Sequence, residues 1–115
     1  MHKFLSADPK RIGRPDVPPC SDAVDEELIG GTPEELKREL IGILGEDVVR
    51  HRISDLVRYA SDASPYRYIP KVIAQPKNID HVAAIFRYCS REGRHATFRA
   101  GGTSLNGQSQ SDDIL

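Results

Sequence analysis

The run Lys71-Val72-Ile73-Ala74-Gln75-Pro76-Lys77-Asn78-Ile79-Asp80-His81-Val82-Ala83-Ala84-Ile85-Phe86-Arg87-Tyr88-Cys89-Ser90-Arg91-Glu92-Gly93-Arg94-His95-Ala96-Thr97-Phe98-Arg99 decides the fold. Its opening is a short β-branched stretch between Pro70 and Pro76, which reads as a strand over 71–74. Asn78 can accept a hydrogen bond from a first-turn amide and so start a helix. Ile79, Val82, Ala83, Ile85, Phe86 and Cys89 recur at helical spacing, and Gly93 supplies the left-handed residue that ends such a helix. His95-Ala96-Thr97-Phe98-Arg99 reads as a second strand. Strand, helix and strand with short links make a βαβ unit, whose crossover is right-handed and whose strands run parallel. The expected class is therefore α+β, with parallel strands near 71–74 and 95–99, preceded by helices.

Downstream, the chain changes character. Ala100-Gly101-Gly102-Thr103-Ser104-Leu105-Asn106-Gly107-Gln108-Ser109-Gln110-Ser111 is rich in glycine, hydroxyl and amide residues. Glycine lets a ligand approach the backbone, and successive N–H groups in such a turn form a concave nest for anions, phosphates above all. Thr103, Ser104 and Ser109 add hydroxyl donors. Arg99 either adds a charge or points outward as a surface arginine. Gly102 to Ser109 fits G-x-x-x-x-G-K-[ST], except that Gln108 stands where a P-loop needs its phosphate-reaching lysine. G-x-G-x-x-G is absent, which disfavours a dinucleotide loop of the Rossmann type. A polar surface loop is the plain alternative. Asp112-Asp113-Ile114-Leu115 reads as the start of a further strand, so the chain is expected to be part of a larger fold.

Upstream, Thr32-Pro33-Glu34-Glu35 has the form of a capping box, with the hydroxyl at the N-cap and proline at the first helical position. Leu36, Leu40, Ile43 and Leu44 then share one helix face, Gly42 weakens the helix slightly, and Gly45 ends it. Residues 53–59 read as a second, shorter helix, and Ser61 to Pro65 as a loop of turn formers, with Asp62 capping a turn. Residues 1–31 hold Pro9, Pro15, Pro18 and Pro19 without apolar periodicity, and read as an extended, poorly packed arm.

Composition bounds the function. The chain has 115 residues, enough for one domain at most. A formal net charge of −1 disfavours a nucleic-acid binder. Arg50, Arg52, Arg58 and Arg67 read as a solvated or ion-paired surface, balanced by the acidic segment 22–27. Tyr59, Tyr66 and Tyr68 read as packing rather than as a base-stacking platform. The first twenty residues carry no apolar run of a secretory signal, and no 18-residue apolar stretch exists. An intracellular, cytoplasmic chain is expected, with peripheral contact to the inner face of a membrane open for a full-length protein. Cys20 and Cys89 are too few for a disulfide scaffold or closed zinc site, and Cys89 falls on a helix's apolar face. His2, His51, His81 and His95 share no metal-ligand spacing.

Three stretches together resemble the vanillyl-alcohol-oxidase-type flavoprotein superfamily with its PCMH-type FAD-binding domain. They are Tyr59 to Tyr66 (YASDASPY), Pro70 to Pro76 (PKVIAQP) followed by Ile79 to Val82 (IDHV), and Phe98 to Gln108 (FRAGGTSLNGQ). The pattern is most similar to the D-lactate dehydrogenase and glycolate oxidase branch. It covers residues 55–115 well and 32–54 loosely.

The resemblance implies that Ala100, Gly101, Gly102, Thr103 and Ser104 form the turn whose amides hold the FAD pyrophosphate, with Leu105 packed beneath. It implies that Gly107, Gln108 and Ser109 continue the wall of the cofactor channel, and that Pro76 lies near the adenine end. It further implies a parent oxidoreductase that oxidises a 2-hydroxy acid, with the catalytic base in another part. An iron–sulfur region often accompanies that branch; Cys20 and Cys89 supply no cluster-binding run, so such a cluster would belong to that other part. Exposed apolar surfaces and self-association are expected of a partial domain. The rival reading is a small non-enzymatic phosphate-binding or interaction module.

Overall fold

The computed structural model of the chain describes residues 24–115. Cys20, His2 and most of the expected proline-rich arm lie outside the described residues. Residues 24–31 hold a 3-10 turn over Glu26–Leu28, with Leu28 buried.

Three helices and a two-stranded antiparallel sheet follow: α1 (Glu34–Leu44), β1 (Val49–Arg50), α2 (Ile53–Arg58), β2 (Ile73–Ala74) and α3 (Ile79–Glu92). α3 begins and ends where its caps dictate. The Asn78 side chain accepts a hydrogen bond from the His81 amide at 2.9 Å, and Gly93 adopts φ 66°, ψ 29° in the left-handed region. α1 starts differently from the capping-box expectation. Pro33, at ψ 136°, stays outside the helix, and no side chain caps it. Thr32 is drawn inward instead: its amide donates to His51 O at 2.9 Å, and its buried hydroxyl oxygen has no partner among the described residues.

The expected βαβ unit is not formed as a strand pair: the segments at 71–74 and 95–99 run in parallel but bond to other partners. β2 pairs antiparallel with β1, Val49 opposite Ala74 and Arg50 opposite Ile73. Residues 95–99 form no continuous strand. Ile114 stands between the two expected strands, with one parallel bridge to Val72 and one to Ala96. The Leu115 amide donates to Val72 O at 3.1 Å, and the Thr97 amide to Ile114 O at 3.0 Å. The physical reason is charge and reach. Asp113, buried, lies 2.7 Å from Arg94 Nη1 and accepts from the His95 amide, which draws residues 113–115 in beside 95–97.

Side-chain alternation then sorts the core onto two faces. Val72 and Ile114 pack with Leu36, Leu40, Leu44, Ile85, Tyr88 and Cys89 of α1 and α3. Ile73 and Leu115 face the other way, against Leu28 and Leu56. The Tyr88 hydroxyl also donates to Glu39, tying α3 to α1; burial and then Glu39 push the phenol up to about 12. Three expected core positions are outside. Ile43 is exposed because the buried face of α1 is the Leu36, Leu40 and Leu44 row, and Ile79 and Phe86 lie on the outer face of α3. Phe86 and Phe98 rest against each other there, ring centroids 5.6 Å apart. No described helix is long and apolar enough to cross a membrane.

Candidate functional site

Three chain segments leave the sheet region at the same edge. β2 runs on into Gln75 and Pro76, residues 96–97 run on into Phe98, Arg99 and Ala100, and the segment through Ile114 reaches Leu115. Because Val72, Ala96 and Ile114 run parallel, this edge is the carboxyl end of all three, the place where open α/β sheets bind ligands. A cleft of about 240 Å³ lies there. Its floor includes Ile73, Ile85 and Ile114, and Tyr59, Pro76 and Ala100 also line it.

The loop from Ala100 rises beside this cleft. Its shape is set by an earlier turn, residues 59–66. Arg99 folds back onto that turn: Nη1 donates to Tyr59 O at 3.0 Å, Nη2 to Ser61 O at 2.7 Å, and the guanidinium lies 5.5 Å from the Tyr59 ring centre. Arg99 is thus neither a free charge nor an outward surface residue. The Ala63 amide donates to Gly102 O at 2.9 Å. At the far end, the Ser109 hydroxyl donates to Asp62 Oδ2 at 2.7 Å, and Gln110 Nε2 to Asp62 Oδ1 at 2.7 Å.

Two glycines are required by this geometry. Gly102 has φ +68°, and a Cβ there would meet the Arg99 guanidinium at 2.4 Å. Gly107 has φ +77°, and its Cβ would meet the Tyr66 ring at 2.9 Å. Gly101 is different: its φ lies outside the left-handed range, and the nearest atom to a Cβ is Thr103 Cγ2 at 3.7 Å.

The amides of residues 100–105 donate to no acceptor among the described residues. Those of Asn106 and Gln108 donate instead to Ser104 Oγ, and the Ser104 hydroxyl donates to Gln108 Oε1 at 3.2 Å, which closes the turn on itself. A row of solvated N–H groups on a fixed turn can hold a phosphate without any side-chain charge.

The structure brings Pro76 and Ala100 onto one cleft and places Gly101, Gly102, Thr103, Ser104, Gly107 and Gln108 along the loop beside it. Ser109 is buried under the loop, its hydroxyl committed to Asp62. Leu105 is 72% exposed rather than packed beneath the turn. The underside is already filled, by Arg99 against Gly102 and Tyr66 against Gly107.

Residues 70–115 match the family model of an FAD binding domain. The match spans less than half of the chain and includes Pro76 and the whole glycine loop, but not the 59–66 turn that holds it. No curated protein and no solved structure matches the chain. The family match supports FAD as the ligand of this region and chemistry of the flavin-dependent oxidase or dehydrogenase type.

Asp62 and Arg99 are the two residues whose part in the site the sequence did not disclose. The local half of Asp62's role was legible: Asp-x-Ser is a turn former, and the Ser64 amide donates to Asp62 at 2.8 Å. The bonds from Ser109 and Gln110 have no sequence signal. Donation by Ser64, with Ser109 and Gln110, holds the Asp62 carboxyl well below the usual carboxylate range. Its ionised form is the one favoured by folding. That stabilisation is full above the ordinary carboxylate pKa of about 4 and fades as pH falls from there through the lowered value. Among the described residues no group of three or more His, Cys, Asp or Glu is placed to hold a metal.

Proposed function

We propose that this chain is the FAD-holding segment of a flavin-dependent oxidoreductase that oxidises a 2-hydroxy acid of the D-lactate or glycolate type. The observation that carries the FAD reading is the run of backbone amides from residue 100 to 105 that donate to nothing else among the described residues. They sit on a loop fixed at both ends, beside a cleft at the carboxyl edge of parallel segments. In this reading the amides of Ala100 to Ser104 hold the pyrophosphate, and Pro76 lies at the adenine end. Bound FAD supplies a two-electron acceptor. The residues of this chain bind and orient it, and none is assigned as a catalytic base. The 2-hydroxy acid rests on the resemblance of the Phe98 to Gln108 string to the D-lactate and glycolate branch.

Flavin fluorescence titration tests the reading, on this chain beside a version extended past Leu115. Stoichiometric FAD uptake by either supports it, and no uptake by both overturns it. Gly101→Ala sharpens the test. The fold has ordinary room for the methyl and no left-handed backbone there, so the thermal midpoint should hold or rise slightly. A ligand that approaches the backbone at Gly101 meets the methyl, so FAD affinity should fall by about tenfold or more. Unchanged affinity would count against the pyrophosphate assignment.

The exposed Phe86–Phe98 pair and Ile79 support self-association through the outer face of α3. Sedimentation velocity at rising concentration checks it, with a monomer throughout as the contrary result.

A further inference from the structure

Asp62 lies outside the residues that match the FAD-binding family model, yet it grips the end of the loop that lies inside them. It reaches 47 positions along the chain to Ser109 and 48 to Gln110. Its two oxygens accept from the Ser64 amide, the Ser64 hydroxyl, the Ser109 hydroxyl and the Gln110 side-chain amide. The Gln110 amide can face only one way. Its nitrogen meets three acceptors: Asp62 Oδ1 at 2.7 Å, Tyr66 O at 2.6 Å and Ser64 Oγ at 3.3 Å. Its oxygen is consequently left buried with no partner among the described residues. An unpaired buried oxygen is costly, so the bonds on the nitrogen side set this arrangement.

We propose that Asp62 is a positioning residue for the FAD loop: its carboxylate fixes residues 107–110 against the 59–66 turn so that the free amides of 100–105 are presented in one arrangement. This inference rests on the FAD reading above. Asp62 does not act as a ligand contact. A bare carboxylate beside a pyrophosphate would repel it, whereas this one has its charge taken up by four donors. The loop's other end is held independently, by Ala63 on Gly102 O and by Arg99 on Tyr59 O and Ser61 O, so the Asp62 grip closes the frame. A frame set before binding leaves less ordering to be done when the ligand arrives.

The test compares Asp62→Ala with Asp62→Asn in whichever form of the protein binds FAD. Asparagine keeps an oxygen for Ser64 and Gln110, and offers its NH₂ to the Ser109 hydroxyl, which can accept as well as donate. Alanine offers neither. FAD affinity, measured well below each thermal midpoint, should fall by about tenfold or more in Asp62→Ala and recover to within about threefold of wild type in Asp62→Asn. Exchange of the hydrogen-bonded loop amides of Asn106, Gln108 and Gln110 without FAD should follow the same order, fast in alanine and near wild type in asparagine. If Asp62→Ala does not fold, Ser109→Ala removes one donor only and should show the same loosening, with a smaller loss of affinity. Wild-type affinity in folded Asp62→Ala, or unchanged exchange over the loop, overturns the proposal while the FAD reading stands. Absence of FAD uptake by the wild-type protein overturns that reading, and this inference with it.

Discussion

Gly102→Ala is expected to abolish tight FAD binding and to destabilise the chain by about 2 kcal/mol or more. Two separate terms add. An L-residue at φ +68° sits in the left-handed region, which costs about 1–2 kcal/mol. The new Cβ would also stand 2.4 Å from Arg99 Nη2, 2.8 Å from Nε and 2.9 Å from Cζ. A long arginine normally swings aside from such a clash. Here it is held by two backbone carbonyls and rests on the Tyr59 ring, so moving it frees the turn that supports the loop. Urea unfolding and flavin titration of the variant measure both consequences. Arg99→Ala in the Gly102→Ala background should return part of the steric term and none of the backbone term, so the two substitutions should be strongly non-additive. Wild-type affinity and stability in Gly102→Ala would mean that the loop does not need this conformation.

Leu40→Ala is expected to cost about 3–5 kcal/mol. Leu40 is wholly inaccessible to solvent, in the cluster where α1 meets Val48, Val49, Val72, Ile85 and Ile114. Removing its branched end leaves a cavity bounded by both α1 and the sheet. Neither can collapse into it without disturbing β1, which holds β2 through a two-residue ladder. Against a total stability of about 5–15 kcal/mol for a domain, that loss populates the unfolded state measurably. Chemical denaturation checks the figure, and a loss below about 1 kcal/mol would show that α1 is not held by this cluster. Ile43→Ala, one residue from Leu44 but 40% exposed, should cost less and serves as the paired control.

These two substitutions differ in how far the sequence alone could have singled them out. Leu40 lies on a face marked by its period, since Leu36, Leu40 and Leu44 are four residues apart. Gly102 sits in a glycine-rich string that already pointed to an amide nest. What the string could not show is which glycine the backbone requires. Gly101 and Gly102 are neighbours of one kind, yet only the second has the left-handed φ and the arginine behind it.

What the sequence by itself determined is local. α3 from Asn78 to Gly93 is written in its caps: one side chain that meets an amide three residues on, and one residue free of a Cβ. The turn at Asp62 and Ser64 is local in the same way, as is the abundance of glycine after Arg99. The tertiary structure decided everything that joins distant positions. β1 is two residues long, too short for any period, and exists because β2 lies alongside it. Ile114 entered between the expected strands because Asp113 met Arg94 and the His95 amide. Arg99 turned inward because Tyr59 and Ser61 offered carbonyls, and Asp62 took hold of Ser109 and Gln110 across more than forty residues. Periodicity and capping act within a few residues of chain, whereas a hydrogen bond between remote segments forms only after packing has brought its donor and acceptor within about 3 Å.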